Sequence, residues 1–157
     1  MHRHQTGFTL IELLVVIAII GILAATIVVS MSNARRGSIN SSVAQTVTNM
    51  RAQAEIFFSA TNLNVYTGMC NAGTDIDRLV DGVIAANNAI AAKDNALANL
   101  QNSNTFMCHI SVDGSSYAVS APLMDVGNGQ KYFCADSTGW ASVTVNPLAA
   151  NATVCSP

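Results

Sequence analysis

The sequence predicts an α+β protein in which a long N-terminal helix packs on a small antiparallel sheet of about four strands, with a second helix between the two in chain order. Three observations carry this. An apolar run from Phe8 to Val29 passes, without an intervening proline, into a stripe of apolar residues at helical spacing. From Thr105 onward the pattern changes to period-two alternation broken by Asp, Asn and Gly turns. Four cysteines all lie beyond the apolar run, as expected of a segment stapled in an oxidising exterior.

The first helix is expected from Thr9 to about Ser59. Phe8 to Val29 is 22 residues, close to the ~20 needed to cross a hydrocarbon core. Val43, Val47, Met50, Ala54 and Phe57 then recur at spacings of four and three, one face of a helix. Such a helix would be roughly 75 Å long at 1.5 Å per residue, more than twice the hydrocarbon thickness. Its first half therefore faces lipid or partners, and its second half presents the stripe to the rest of the chain. The small, polar segment Ser30 to Ser42, with Gly37, is expected to leave the bilayer.

After a loop from Asn62 to Gly73, Thr74 stands as an N-cap with Asp77 three residues on. Ile76, Val83, Ile90 and Leu97, with Val80 and Leu100 nearby, extend a second helix to about Gln101, with Asn87-Asn88 as a point of kink or break. Phe106, Cys108, Ile110 and Val112 then face one way and Met107, His109 and Ser111 the other. Asp113-Gly114 reads as a hairpin turn. Tyr117 to Ala121 returns, Gly127-Asn128-Gly129 turns again, Lys131 to Ala135 forms a third strand, and Ala141 to Val145 a fourth after the turn at Asp136 to Gly139.

Cys70, Cys108, Cys134 and Cys155 are separated by 38, 26 and 21 residues, which fits no C-x-x-C zinc or redox pattern. Disulfides are the better reading than four buried thiols. Three pairings exist; Cys70 with Cys108 and Cys134 with Cys155 is favoured, because each closes a loop without crossing the other, and each would contribute roughly 3–4 kcal/mol. The second pair would tie the tail from Asn146 to Pro157 onto the third strand.

Half of the chain is hydrophobic and only 10% is charged, with a net charge of -2. That total hides an asymmetry. From Ala52 onward Glu55, Asp75, Asp77, Asp81, Asp94, Asp113, Asp125 and Asp136 stand against Arg78, Lys93 and Lys131, a net charge of -5. An acidic head argues against direct nucleic-acid binding, which takes clustered cations. Catalysis finds no support: His2 and His4 precede the apolar run, His109 is the remaining histidine, and no H-E-x-x-H, G-x-S-x-G or phosphate-loop pattern is present. Asp75, Asp77 and Asp81 suit a helix N-terminus better than a calcium loop, so neither metal nor cofactor is expected. Phe57, Phe58 and Trp140 are expected in the core or at subunit contacts, and His109 on a surface or interface. Asn40-Ser41-Ser42 and Asn151-Ala152-Thr153 match a glycan-acceptor pattern that carries little weight here.

Glu12 places one carboxylate inside the apolar run, where an ionised side chain costs at least a few kcal/mol and is normally paired. With this acid in place, Gly7-Phe8-Thr9-Leu10-Ile11-Glu12 and the block that follows to Ala25 resemble the N-terminal segment of type IV pilins and pseudopilins almost position for position. The resemblance implies a pilin-like fold and a short basic leader, residues 1–7, cut between Gly7 and Phe8 by a dedicated membrane peptidase. It further implies N-methylation of Phe8, and pairing of Glu12 with the Phe8 amine of a neighbouring subunit. Residues 8–60 would then be the long helix, membrane-spanning in its first half, and 61–157 an extracytoplasmic head. Arg3 favours a cytoplasmic start while Arg35 and Arg36 oppose it; the resemblance decides for start inside, head outside. One departure is Val29, where many pilins carry a proline about eight residues beyond the glycine matching Gly21; a more continuous helix is expected.

The expected function is a non-enzymatic structural subunit of an extracellular type IV pilus-like filament. Its partners would be copies of itself in a helical homo-oligomer, the prepilin peptidase, the assembly machinery and, before assembly, the inner membrane. Two alternatives are a pseudopilin of a type II-like secretion system and a single-pass anchored binding module.

Overall fold

The computed structural model describes residues 7–61, 63–87, 92–94, 105–124, 129 and 131–156. The chain divides into two compact units, Met1–Arg35 and Arg36–Pro157. Helix α1, Leu10–Ala60, begins in the first and ends in the second, within a residue of each expected end. In the first unit its described side chains are exposed throughout.

In the second unit the expected stripe is the spine of the core. Val43, Val47, Met50 and Ala54 are buried, with Ile39, Phe57 and Phe58 packed beside them. Full burial of side chains of this size stabilises by about 1.5–3 kcal/mol each, so this face alone is enough to hold α1 on its neighbours. The helix stops without a glycine. Thr61 Oγ1 donates to Phe58 O and accepts from the Val65 N–H, turning the chain toward Tyr66. Phe58, Tyr66 and Tyr117 then form a ladder of rings, each step 4.7 Å between centroids.

Helix α2, Asp75–Ala86, starts as its sequence demands. Thr74 Oγ1 accepts from the Asp77 N–H, and the Asp77 carboxylate accepts from the Gly73 N–H at 2.8 Å. Ile76, Val80 and Val83 are its buried face. It ends at Ala86, earlier than its heptad spacing predicts, because Asn87 is extended and fully buried and its Nδ2 donates to Pro122 O at 3.0 Å. That asparagine exchanges helix continuation for a bond to the sheet. Ala92–Asp94, expected in the helix, form strand β1 instead; Ile90, Leu97 and Leu100 lie outside the described residues.

β1 pairs in parallel with β2, Thr105–Ile110. An antiparallel meander follows through β3, Tyr117–Pro122, β4, Tyr132–Asp136, and β5, Ala141–Thr144, in spatial order β1-β2-β3-β4-β5. All four strands expected from alternation are present, and β1 is the addition. The turn at Gly127-Asn128-Gly129 lies outside the described residues except for Gly129. The hairpin tip is longer than a two-residue turn: Gly114 N–H bonds to Ser111 O, and Ser111 N–H to Ser116 O. Val112, expected on the inner face, therefore stands in the turn and is fully exposed.

The inner face, Phe106, Cys108, Tyr117, Val119, Ala121 and Ala135, meets the α1 stripe. The outer face is not open to water. Met107, Ala118 and Cys134 lie under the C-terminal tail with Leu148 and Cys155, and Trp140 and Ala152 flank them. Disulfides join Cys70 to Cys108 and Cys134 to Cys155. The tail is also held by polar contacts: the Cys155 N–H donates to Asp136 Oδ2 at 2.7 Å, and Ser116 Oγ to Thr153 Oγ1 at 3.0 Å. His109, expected at a surface, is buried there with Nδ1 3.2 Å from Ala152 O, so that nitrogen carries the proton.

Two further side chains fix the α1 side of the core. Asn40 Nδ2 donates to Met124 O at 3.0 Å, and Asn40 Oδ1 accepts from the Met124 N–H at 2.7 Å, as a strand partner would. Arg51 Nη1 donates to Gly139 O at 2.9 Å, in a turn where Gly139 has φ of +101°.

Candidate assembly segment

Gly7, Phe8 and Thr9 precede the helix in non-helical conformation, and all three are exposed. Helix α1 is opened by a capping box. The Glu12 N–H donates to Thr9 Oγ1 at 3.3 Å, and Glu12 Oε2 accepts from the Thr9 N–H at 2.9 Å and from Thr9 Oγ1 at 2.7 Å. Thr-x-x-Glu is the sequence signature of this motif, a signal that the reading of Glu12 as an acid within the apolar run passed over. Its consequence is chemical: the carboxylate is not bare within the apolar run. Both donors reach Oε2, and Oε1 points to no group among the described residues.

Beyond Glu12 no charged residue occurs until Arg35. Apolar side chains follow one another from Leu13 to Ala25 without a polar position, so they cover the full circumference of a helix that turns 100° per residue. Fifteen large hydrophobic side chains between Phe8 and Met31 are exposed, Phe8 at 86% and Ile22 at 68%. Covering them with an apolar environment is worth about 15–30 kcal/mol in water-transfer terms, more than a domain's whole stability. Lipid or other helices must therefore surround this stretch. By length and composition α1 is the one helix among the described residues that meets the requirement for crossing a membrane.

The remaining residues of interest lie in the second unit, where those described are engaged in caps, ion pairs and packing. Asp77 is spent on the α2 cap, Asp75 pairs with Arg78 at 3.0 Å in solvent, and the described residues contain no group of three or more metal-ligating side chains. Phe57 and Phe58 pack on the core, and Trp140 on the outer cluster. Tyr66 Oη donates to Glu55 Oε1 at 3.0 Å; burial, and then that carboxylate, push its pKa up to about 12. A hollow of about 140 Å³ under the tail, lined by Thr144, Asn146, Pro147, Leu148 and Val154 among others, is smaller than the ~300 Å³ at which small-molecule pockets begin.

Sequence comparison bears on the exposed segment. Residues 2–28 match the prokaryotic N-terminal methylation motif. The methylation segment thus includes Gly7, Phe8, Thr9 and Glu12 and reaches through most of the apolar run. The match is consistent with the type IV pilin and pseudopilin family, as is the α+β architecture of a long helix on a small antiparallel sheet. Motif and fold together support a structural subunit of the pilin or pseudopilin kind, made as a membrane-associated precursor. No curated protein and no solved structure matches the chain.

Proposed function

We propose that this chain is the structural subunit of an extracellular type IV pilus-like filament, drawn from the inner membrane after removal of residues 1–7. The observation that carries the reading is the coincidence, within one helical turn, of residues of the methylation motif, an exposed Gly7-Phe8 peptide and a single carboxylate at the head of a run that is uncharged until Arg35. Cleavage after Gly7 would create an amine at Phe8, four residues before Glu12. Within one chain the Thr9 N–H and hydroxyl already occupy Oε2. Oε1 is left for a cation, and the amine of an adjacent copy would meet that need. Pairing two charges in a low-dielectric setting removes an unpaired burial on each side and fixes the axial register of the helices.

Helices moving from lipid into a bundle gain packing contacts rather than a large hydrophobic term, which suits a polymer that is assembled under power from other proteins. No residue of this chain supplies that power. The acidic second unit would form the filament surface, with its tail clamped by Cys134–Cys155.

Glu12→Ala, with sheared filament yield and membrane pool measured together, tests the pairing: loss of filaments from a normal pool supports it, and unchanged yield removes it. Surface filaments separate a pilus from a secretion pseudopilus, and an intact Met1 in the natural product would favour a tethered binding module.

A further inference from the structure

Two N-x-Ser/Thr tripeptides occur in the chain, Asn40-Ser41-Ser42 and Asn151-Ala152-Thr153. As sequence they are equal acceptors for an N-linked glycan. Their surroundings are not equal. Asn40 lies within helix α1, half-buried, with Nδ2 and Oδ1 both engaged on the Met124 backbone. A sugar on that nitrogen would have to displace the clamp that joins α1 to the chain after β3.

Asn151 is exposed in the coil that follows β5, and its side chain makes no hydrogen bond among the described residues. Its backbone has φ of +59°, in a turn that the Ala152 N–H closes on Ala149 O at 3.0 Å. That conformation suits Gly, Asn and Asp, and of the three only Asn has an amide that can carry a sugar. Thr153 supplies the hydroxyl of the pattern; its Oγ1 accepts from Ser116 Oγ at 3.0 Å, and Cys155 beyond it is bonded to Cys134. The tripeptide therefore stands at the surface on a segment pinned just past it, where a bulky polar group displaces no packing and no bond. The surface around it also lacks charge. From Ser137 to Pro157 there is no charged side chain, while Val143, Val145 and Val154 are exposed. A glycan would supply the hydration that this stretch does not supply itself.

We propose that Asn151 is a glycosylation site, with Nδ2 bonded to C1 of the reducing-end sugar of an oligosaccharide. The donor is a glycan carried on a polyprenyl phosphate or diphosphate. The bond from Nδ2 to C1 forms as the bond from C1 to the lipid's phosphate oxygen breaks; that oxygen keeps the electron pair, and Nδ2 gives up one proton to a base of the transferase. The proposal rests on the exterior placement of the head in the reading above, and needs neither leader removal nor a polymer.

The test uses the full chain recovered from its native envelope. Trypsin separates the two tripeptides, since Gly37–Arg51 and Tyr132–Pro157 each hold one. Mass spectrometry is expected to find Tyr132–Pro157 heavier by at least one sugar residue, with fragments that place it on Asn151, and Gly37–Arg51 at its unmodified mass. Asn151→Asp, which keeps the turn, and Thr153→Ala should each abolish the modification, while Thr153→Ser, which keeps the hydroxyl, should retain it. An intact Cys134–Cys155 disulfide in each variant shows that the tail is still folded. Tyr132–Pro157 at its unmodified mass throughout the parent overturns the proposal, as does a sugar that survives Asn151→Asp or one found on Gly37–Arg51. Reduced Cys134 and Cys155 in the parent would refute the exterior placement, and the proposal with it. An intact Met1 beside a modified Asn151 would refute the filament and leave the glycan standing.

Discussion

Asn40→Ala removes the one side chain that bonds both backbone groups of Met124, at 2.7 and 3.0 Å. Each bond is worth about 1–1.5 kcal/mol, and the half-buried site lets water recover part of what a fully buried donor and acceptor would lose. Alanine returns about 0.6 kcal/mol of helix propensity. The net expectation is a loss of about 2 kcal/mol, or a midpoint lower by about 8 °C for a unit of this size. Thermal unfolding of the full chain in detergent micelles, followed by fluorescence of Trp140 under the tail, reads it directly. Gln45→Ala is the control. Its bond to Asn49 is exposed, and its effect should stay within about 0.5 kcal/mol. If Asn40→Ala shifts the midpoint no more than Gln45→Ala, the strand-like clamp on Met124 does not hold α1 to the sheet.

Replacing Cys134 and Cys155 together by serine should cost about 3 kcal/mol, the loop-closure value for a 21-residue separation, and should quench Trp140 as the tail lifts from Met107 and Leu148; an unchanged midpoint would contradict the clamp. Met50→Ala, fully buried in the α1 stripe, should destabilise by about 2–5 kcal/mol in the same melt, whereas Ile56→Ala on the exposed side should cost less than 1. Tyr66 gives a pH dependence. Its folded pKa lies above that of the unfolded chain, so its contribution is complete below pH 10 and is lost as pH rises toward 12. Tyrosinate absorbance should show at least one ring ionising well above pH 10 in the folded chain, and in Tyr66→Phe the alkaline loss of stability should shrink; three rings titrating together near 10 would contradict the burial.

What the sequence made legible was whatever one element could decide alone. The stripe from Val43 to Phe57 has a helical period with no competing pattern, and the Thr74 cap is local chemistry; the Thr9–Glu12 box carries the same signature and went unread. The strands from Thr105 were readable because Asp, Asn and Gly break a strict alternation. What was hidden depended on distant partners. Ile76 and Val83 start a heptad that Ile90 and Leu97 continue in sequence; Asn87-Asn88 marked a point of break within it, but the partner that draws Asn87 away, Pro122 O 35 residues on, could not be read locally. The outer face of β2 looked solvent-directed because His109 and Ser111 alternate with apolar residues; the coil that covers it, Leu148 to Cys155, has no periodicity to read. Val112 matched the alternation but fell inside the turn that Ser111 and Gly114 close. At the candidate site, the motif residues were legible throughout, while the double use of Oε2 by Thr9 became visible only with side-chain geometry.

The assembly account rests on a free amine at Phe8. Intact-mass and N-terminal fragment analysis of the subunit taken from its native membrane or filament tests this most directly. The predicted result is a chain that begins at Phe8 and carries one methyl group on its terminal nitrogen. A chain that still begins at Met1, or one cut at any bond other than Gly7-Phe8, would contradict it.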